Sequence, residues 1–269
     1  QNKNFTYKVI FIQKNISQKN TKLREIFTFL KSYYGLFVEI RKQKNIVLIS
    51  SLWKSSIFSL ILKIFKKEIK LILFLHNAAN VHALDNLATS LNLYFADQIW
   101  ADSKATIDKR LSSLIIKRAN ISKKTISFLL KRFEPMPSKK IAPNFIYWGR
   151  LNQSQKNIFG AIKFFKTLSL NNPNSKFIMI GHDDGIKDKL ISLINTLGIE
   201  KNVLIVEYKK FEEIKKYAQD CSFYLQLSFF EGMAMSVVEA MQLGLIPIVT
   251  NVGEIENYCE DKYNSIIFR

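Results

Sequence analysis

The sequence predicts an α/β protein built from two doubly wound parallel sheets, and three observations lead to that prediction. Short apolar runs of strand length alternate along the chain with segments whose apolar residues follow helical spacing. This alternation is typical of parallel sheets with helices on both faces. Glycines follow two of the runs, at Gly149 and Gly181, and residues 135–143 contain three prolines. We therefore predict a first domain at residues 1–140 and a second at 141–269.

Five apolar runs predict the strands of the first half. The first run is at residues 7–13, and a helical pattern with Gly35 as a weak point follows it up to residue 40. We predict the later strands at 46–49, 71–75, 98–101 and 125–130, and the later helices at 55–65, 84–95 and 104–115. His76 directly follows one strand, at the edge where doubly wound sheets bind ligands. A lone histidine is more often structural.

The second half repeats the alternation. We predict its strands at 145–149, 176–181, 203–207, 223–227 and 246–249, and its helices at 157–170, 186–197, 211–219 and 234–243. Arg150 follows the first of these strands, and Lys156 precedes the first helix. Both cations are therefore expected at the ligand-binding edge of the sheet. Either one alone is more often a surface charge.

Residues 229–250 combine a loop, a helix, a turn and a strand with two carboxylates. Glu231 precedes the helix, and Glu239 lies inside it, about two turns from its start. The unpaired N–H groups at the helix start form an anion site. These groups belong to the stretch Gly232, Met233 and Ala234. An anion there, with a carboxylate farther along, suits a nucleotide diphosphate and its ribose, whereas two surface glutamates on a solvated helix are the alternative.

Together these segments resemble the retaining glycosyltransferases of family 4, which have the GT-B fold. The resemblance depends most on G-R-L at 149–151 with Lys156 after it, and on the E-x7-E pair of Glu231 and Glu239. It extends to LILFLHN at 71–77, ADQIWADS at 96–103, KFIMIGHDDG at 176–185 and TNVGEIENYCEDKYNSIIF at 250–268. EGMAMS at 231–236 departs from the commoner E-G-F-G-L-P. The family also has a glycine-rich loop before these segments and helices after them, so we expect this sequence to lack part of each domain.

The resemblance implies two Rossmann-like domains that face a cleft, with a nucleotide-diphosphate-sugar held mainly by the second. The implied reaction is metal-independent hexosyl transfer with retention, to a glycan or lipid-linked acceptor, as in polysaccharide biosynthesis. Arg150 and Lys156 would hold the donor diphosphate, Glu231 would contact the donor sugar, and His76 would place that sugar from the first domain. The donor-binding residues would be Gly149, Gly232, Met233, Ala234 and Glu239, the last on the ribose. Because no D-x-D motif is present, we expect no metal, and no cofactor besides the donor substrate.

Positive charge is concentrated in the first half of the chain. Residues 1–140 hold 26 Lys and Arg against 8 Asp and Glu, whereas residues 141–269 hold 14 of each. This excess favours an anionic partner. We expect peripheral contact with the inner face of the cell membrane through residues 52–70 and 115–133, where cations and apolar residues are mixed. Two alternatives are a lysine-rich coding bias, and an apolar helix at 57–65 that packs on the sheet.

Composition and motifs narrow the class of protein further. Apolar residues make up 48 %, enough for a substantial core. The two cysteines, Cys221 and Cys259, indicate a reducing, cytoplasmic compartment rather than a disulfide framework. A dehydrogenase is disfavoured because no early strand precedes G-x-G-x-x-G. A nucleic-acid partner is not expected because cations and aromatics form no recognition motif, whereas an inactive donor-binding remnant stays open.

Overall fold

The computed structural model describes residues 22–76, 83–118, 120–126, 132–137 and 140–269, and these residues contain two separate sheets. All paired strands in both sheets are parallel. Parallel strands need crossover connections, and helices between the strands supply them. The predicted α/β fold class is therefore confirmed. None of the helices in these ranges is long and apolar enough to cross a lipid bilayer.

The first sheet has four strands in the order β1-β2-β3-β4. Its strands are β1 (Val47–Ser51), β2 (Lys70–Leu75), β3 (Gln98–Ala101) and β4 (Ser122–Thr125). The helices of this part are α1 (Lys22–Lys42), α2 (Trp53–Phe65), α3 (Ala83–Phe95) and α4 (Lys104–Ser113). In β2 every residue after Lys70 is buried, because a central parallel strand is covered on both faces.

The second sheet has six strands in the order β10-β9-β8-β5-β6-β7. Its strands are β5 (Phe145–Trp148), β6 (Phe177–Ile180), β7 (Val203–Val206), β8 (Phe223–Gln226), β9 (Ile246–Thr250) and β10 (Ile266–Phe268). Its helices are α5 (Gln153–Lys156), α6 (Ile158–Asn171), α7 (Lys187–Thr196), α8 (Phe211–Ala218), α9 (Met235–Gln242) and α10 (Ile255–Tyr258). Phe165 of α6 anchors the core, with its ring centroid 5.6 Å from that of Phe145 and 5.4 Å from that of Phe177.

A few elements differ from the sequence prediction. The structure places a strand at Ser122–Thr125, ahead of the strand predicted at 125–130, and all four of its side chains are exposed. Such a polar edge strand is held by backbone pairing to β3, so it has no apolar signature. The single-turn helices α5 and α10 and the strand β10 have no counterpart in the prediction, and α1 continues through Gly35. The strand predicted at 7–13 lies outside the described residues, as do residues 127–130.

The connection between the sheets runs along the second one. Phe133 N donates a hydrogen bond to Gln242 Oε1 at 2.8 Å, and Met136 N donates to Leu243 O at 3.2 Å. The Phe133 ring also stacks on Phe211 with centroids 3.8 Å apart. These described residues of the connection therefore pack on the end of α9 and the start of α8. The domain limits at 140 and 141 stay a prediction.

Candidate active site

Two glycines allow the carboxyl ends of β5 and β6 to touch. Gly149 has a φ of 150°, a conformation that residues with side chains rarely adopt. A Cβ on Gly181 would lie 1.7 Å from the Gly149 carbonyl oxygen, so no side chain fits there. This close approach sets the path of the chain that follows β5, which carries Arg150 and α5.

The short helix α5 positions Lys156 at the centre of the site. Asn152 caps the helix start, where its side-chain oxygen accepts a hydrogen bond from Gln155 N at 2.9 Å. Asn157 ends the helix in the left-handed conformation, with a φ of 50°, which asparagine tolerates better than most residues. Lys156 Nζ then lies 2.7 Å from Glu231 Oε1, and both side chains are largely buried.

A network of polar side chains surrounds the Glu231 carboxylate. Gln226 Nε2 donates to Glu231 Oε1 at 3.0 Å, and Gln155 Nε2 lies 3.5 Å from Glu231 Oε2. Gln226 Oε1 in turn accepts from Ser236 Oγ at 3.0 Å and from the Tyr224 hydroxyl at 2.8 Å. Because only 5 % of Glu231 is exposed, these partners and Lys156 take the place of water around its charge.

Arg150 lies at the solvent-facing rim of the same site. Its side chain is 58 % exposed, and Nη1 is 3.3 Å from Asp184 Oδ2. Arg150 Nη2 donates to Gln155 Oε1 at 2.9 Å. Gln155 therefore connects Arg150 with Glu231, since its amide nitrogen faces that carboxylate. The two predicted cations occupy different depths, with Lys156 inside and Arg150 outside.

The start of α9 and the Glu239 carboxylate lie beside this cluster. Ala234 is the N-cap residue of α9, with φ 52° and ψ 57°, and its side chain makes no capping hydrogen bond. The backbone N–H groups of the first turn therefore have no side-chain cap at this position. The Tyr258 hydroxyl donates to Met233 O at 2.9 Å and supports the loop. Trp148 Nε1 donates to Glu239 Oε2 at 2.9 Å and orients that carboxylate.

The loop before α9 also contacts the first domain. A Cβ on Gly232 would lie 2.9 Å from Thr106 Oγ1 and 3.2 Å from the backbone oxygen of His76. Glu254 Oε2 accepts a hydrogen bond from Ala105 N, in the first turn of α4, at 2.9 Å. The ligand-binding edges of the two sheets therefore meet at this point, with His76 on the side of the first domain.

His76 and Asp102 follow adjacent strands of the first sheet and influence each other. Burial lowers the pKa of His76, and the charge of Asp102 acts in the opposite direction. Burial also raises the pKa of Asp102, against hydrogen bonds from Thr106 and Ser103. Asp102 Oδ1 is buried and has no hydrogen-bond partner among the residues that the structure describes. Burial of His76 therefore favours the neutral form of its imidazole.

The structure places the predicted residues of the second domain around the ends of β5 and β8. They are Gly149, Arg150, Lys156, Glu231, Gly232, Met233, Ala234 and Glu239. His76 lies next to them in the first domain, with its backbone oxygen close to Gly232, and the individual roles stay predictions. The sequence prediction omits Gln155, Gln226, Trp148 and Asp184, although all four contact a predicted residue. Of these, Gln226 had a visible signal, because it is a polar residue that ends an apolar strand.

Two parallel-sheet domains that meet at their ligand-binding edges form the GT-B fold, the class indicated by the sequence resemblance. The chain belongs to the family Glycosyl transferases group 1, whose model matches residues 131–269. A solved structure with this fold is that of Alr3699/HepE from Anabaena in complex with UDP and glucose. It matches with a TM-score of 0.74 and 17 % identity over 93 % of this chain and 70 % of the other.

Curated relatives match shorter parts of the chain. An uncharacterized glycosyltransferase, MJ1059 of Methanocaldococcus jannaschii, is 34 % identical over 119 residues, which are 44 % of this chain and 28 % of the relative. A GDP-mannose:cellobiosyl-diphosphopolyprenol alpha-mannosyltransferase of Komagataeibacter xylinus is 33 % identical over 82 residues, or 30 % of this chain and 21 % of the relative. The matched segment thus spans less than a third of the length of either relative.

Proposed function

We propose that this chain is a glycosyltransferase that binds a nucleotide-diphosphate-sugar at the edge of its second domain and transfers the sugar to a glycan or lipid-linked acceptor. The observation that carries the proposal is the buried pair of Lys156 and Glu231, 2.7 Å apart, beside the uncapped start of α9. Arg150 adds a second cation at the rim. The names of the relatives, which include a GDP-mannose-dependent transferase and a complex with UDP and glucose, support a donor of this class.

In the proposed reaction, the bond between the anomeric carbon and the diphosphate oxygen breaks, and its electron pair stays on the diphosphate. The acceptor oxygen bonds to the anomeric carbon on the same face, so the configuration is retained, and its proton passes to the departing diphosphate oxygen. Arg150 and Lys156 neutralise the growing charge of the leaving group, together with N–H groups at residues 232–234. Glu239 binds the ribose, Glu231 contacts the donor sugar, and His76 positions that sugar from the first domain.

The proposed chemistry needs no metal because two cations face the leaving diphosphate. We therefore expect turnover to persist when EDTA is added to protein freed of divalent ions. Turnover that stops with EDTA and returns with Mg²⁺ or Mn²⁺ would contradict this part of the proposal. No other cofactor is expected, since the nucleotide-diphosphate-sugar is itself the activated substrate.

The decisive experiment pairs donor binding with turnover in the full chain. UDP and GDP are tested by calorimetry, and UDP-glucose and GDP-mannose by nucleotide release, with the product anomer assigned by NMR. Arg150→Ala should lower turnover by about 10²-fold, because the lost contact strengthens in the transition state. Arg269→Ala is the matched control, since Arg269 is also an exposed arginine, with Nη2 3.7 Å from Asp261 Oδ2.

Each outcome separates the alternatives for this site. Equal turnover in Arg150→Ala and the unmodified protein would remove Arg150 from the reaction. Nucleotide binding without turnover of any donor would favour an inactive donor-binding remnant. Absence of nucleotide binding, with tight binding of a DNA or RNA duplex, would instead favour a basic nucleic-acid-binding protein.

We also propose that the protein is cytoplasmic and attaches peripherally to the inner face of the cell membrane through residues 1–140. The excess of positive charge in this half supports the proposal. Lys54, Lys67 and Lys70 are exposed and available to lipid phosphates. Lys63 has a different role, because only 14 % of its side chain is exposed and its Nζ is 2.9 Å from Asp97 Oδ2.

A further inference from the structure

Helices α2 and α3 expose apolar side chains along their outer faces. The outward residues are Ile57, Ile61, Ile64, Leu84, Leu87 and Leu91, which we name the α2–α3 apolar surface. Each of these residues is between 37 % and 60 % exposed. A helix of a water-soluble domain normally directs its apolar stripe to the core and its polar residues to water. Both helices bury some apolar residues, such as Leu62 and Leu93, but they also bury polar residues and leave these six apolar side chains partly exposed.

The contact between the two helices consists of small and polar residues. Ser56 and Ser59 of α2 and Asn92 of α3 are each no more than 1 % exposed. Ser59 Oγ donates to Asn92 Oδ1 at 2.9 Å, and Asn92 Nδ2 donates to Ser56 O. Small and hydrogen-bonded residues between helices, with apolar residues outside, are typical of helices that face lipid. The alternative that residues 57–65 pack on the sheet and leave only lysines exposed is wrong for Ile57, Ile61 and Ile64, whereas Leu62 is buried as it predicts.

Aromatic and basic side chains lie at the carboxyl ends of both helices. Phe65 ends α2 and is 74 % exposed, and Tyr94 lies in the last turn of α3 and is 62 % exposed. Lys67 and Lys70 are exposed just after α2. Arg118 Nη1 donates to Tyr94 O at 3.0 Å and brings a further cation to the end of α3. Apolar residues bordered by aromatic rings and cations match the layers of a bilayer, from acyl chains to headgroups.

We propose that the α2–α3 apolar surface enters the headgroup region of an anionic lipid bilayer. The inference rests on the proposed membrane attachment and is independent of the glycosyl transfer. It identifies which apolar residues contact the bilayer together with the lysines. A second copy of the chain is a poorer occupant, because it would bring the same excess of positive charge against the surface.

The test is co-sedimentation of the full chain with vesicles. Vesicles of phosphatidylglycerol and phosphatidylcholine, and of phosphatidylcholine alone, are compared at about 0.1 M and about 1 M salt, where the Debye length falls from about 10 Å to about 3 Å. We expect binding to the anionic vesicles at both salt concentrations, weaker at the higher one. Ile61→Gln and Leu87→Gln should each lower the partition coefficient about tenfold at either salt concentration, because apolar transfer is not screened. Lys67→Gln with Lys70→Gln should lower it mainly at low salt.

Matched controls test whether replacing any exposed apolar residue has the same effect on vesicle binding. Leu170→Gln and Tyr263→Gln change residues of the second domain that are 65 % and 82 % exposed, and they should bind like the unmodified protein. The Ile61 and Leu87 variants should melt within a few degrees of the unmodified protein, because 42 % and 47 % of these residues are already exposed.

Three results would overturn the inference. If Ile61→Gln and Leu87→Gln bind like the unmodified protein, the surface is wrong while the membrane attachment stands. If the unmodified protein stays in the supernatant with every vesicle, both the attachment and the surface are wrong, and nucleotide binding still tests the transferase separately. If sedimentation equilibrium shows a dimer that Ile61→Gln converts to a monomer, a second copy covers the surface.

Discussion

Lys156 and Arg150 carry the same charge but lie in different surroundings, so their mutations should differ. Lys156→Ala leaves Glu231 buried without its cation, and we expect a loss of about 3 kcal/mol in the free energy of unfolding, measured in urea. Arg150→Ala should change this free energy by less than about 1 kcal/mol, since exposed ion pairs contribute little. Both variants should lose turnover.

A double variant separates stability from chemistry at the same pair. Lys156→Met combined with Glu231→Gln removes both charges and keeps an amide for Gln226 to contact, so most of the stability should return. Turnover should stay low, because only Arg150 is left to neutralise the leaving group and the Glu231 carboxylate is gone. Full activity in the double variant would contradict the proposed role of Lys156.

The pKa of His76 gives a pH dependence with a defined sign. Burial lowers this pKa below its ordinary value of about 6.5, so the unfolded state binds the proton more readily. The contribution of His76 to the free energy of unfolding is therefore fully present above pH 6.5 and is lost as the pH falls toward the folded-state pKa. His76→Asn should flatten the stability profile over this range, measured by urea unfolding at a series of pH values. Parallel profiles for His76→Asn and the unmodified protein would contradict this assignment, and His182→Asn, at an exposed histidine, is the control.

The junction of β5 and β6 depends on the absence of a side chain at Gly181. In Gly181→Ala the new Cβ would meet the Gly149 carbonyl oxygen, and the backbone of both strands must shift. We expect a loss of about 2–3 kcal/mol in the free energy of unfolding and weaker nucleotide binding, since Arg150 and α5 follow this junction. Gly35→Ala is the control: it lies inside α1 with no atom within 4 Å, and it should stabilise the chain by about 0.5–1 kcal/mol. If Gly181→Ala is as stable as the unmodified protein, the ends of β5 and β6 do not approach each other as closely as the structure indicates.

The contact between β5 and α9 sets the orientation of Glu239. Trp148→Phe removes the N–H that donates to Glu239 Oε2, a hydrogen bond to a charged group. Under the proposed ribose role, we expect the donor KM to rise about tenfold with little change in kcat, because the ribose is held equally in the ground and transition states. A fall in kcat at unchanged KM would indicate that Glu239 contacts the reacting sugar instead.

At the scale of the whole molecule, Glu254 joins the domains and supports the site. Its carboxylate caps the start of α4 in the first domain, and its own N–H donates to Gly232 O at 2.9 Å. Glu254→Ala should loosen the contact between the two domains. We expect a larger radius of gyration by small-angle X-ray scattering and a lower kcat, while the unfolding transition stays close to that of the unmodified protein.

Two further variants define the Glu254 contact. Glu254→Gln keeps an acceptor oxygen but loses the charge. Its radius of gyration and kcat should therefore lie between those of Glu254→Ala and the unmodified protein. Glu256→Ala changes an exposed carboxylate two positions along the chain. It should leave the radius of gyration and kcat unchanged. An unchanged radius and kcat in Glu254→Ala would show that other contacts hold the domains together.

Local patterns in the sequence predicted most elements of the described chain. Buried strands such as β2 and β5 are continuous apolar runs. The observed limits of the predicted helices lie within two residues of the predicted limits. The elements without a predicted counterpart at their positions are β4, α5, α10 and β10. For β4 and α5 the reason is physical. Both depend on hydrogen bonds, to β3 and to the Asn152 cap, and not on an apolar face.

The sequence by itself determined the fold class, the family and the positions of Arg150, Lys156, Glu231 and Glu239 at strand and helix ends, because these are local patterns. Only the tertiary structure decided which groups meet. Lys156 and Glu231 are 75 positions apart, and Glu254 and Ala105 are 149 apart, so sheet order and domain contact set both pairs. The sequence of α2 likewise did not decide which of its sides faces outward, because a helix that is apolar on several sides can bury any of them. Packing of its serines against Asn92 of α3 directs the isoleucines outward.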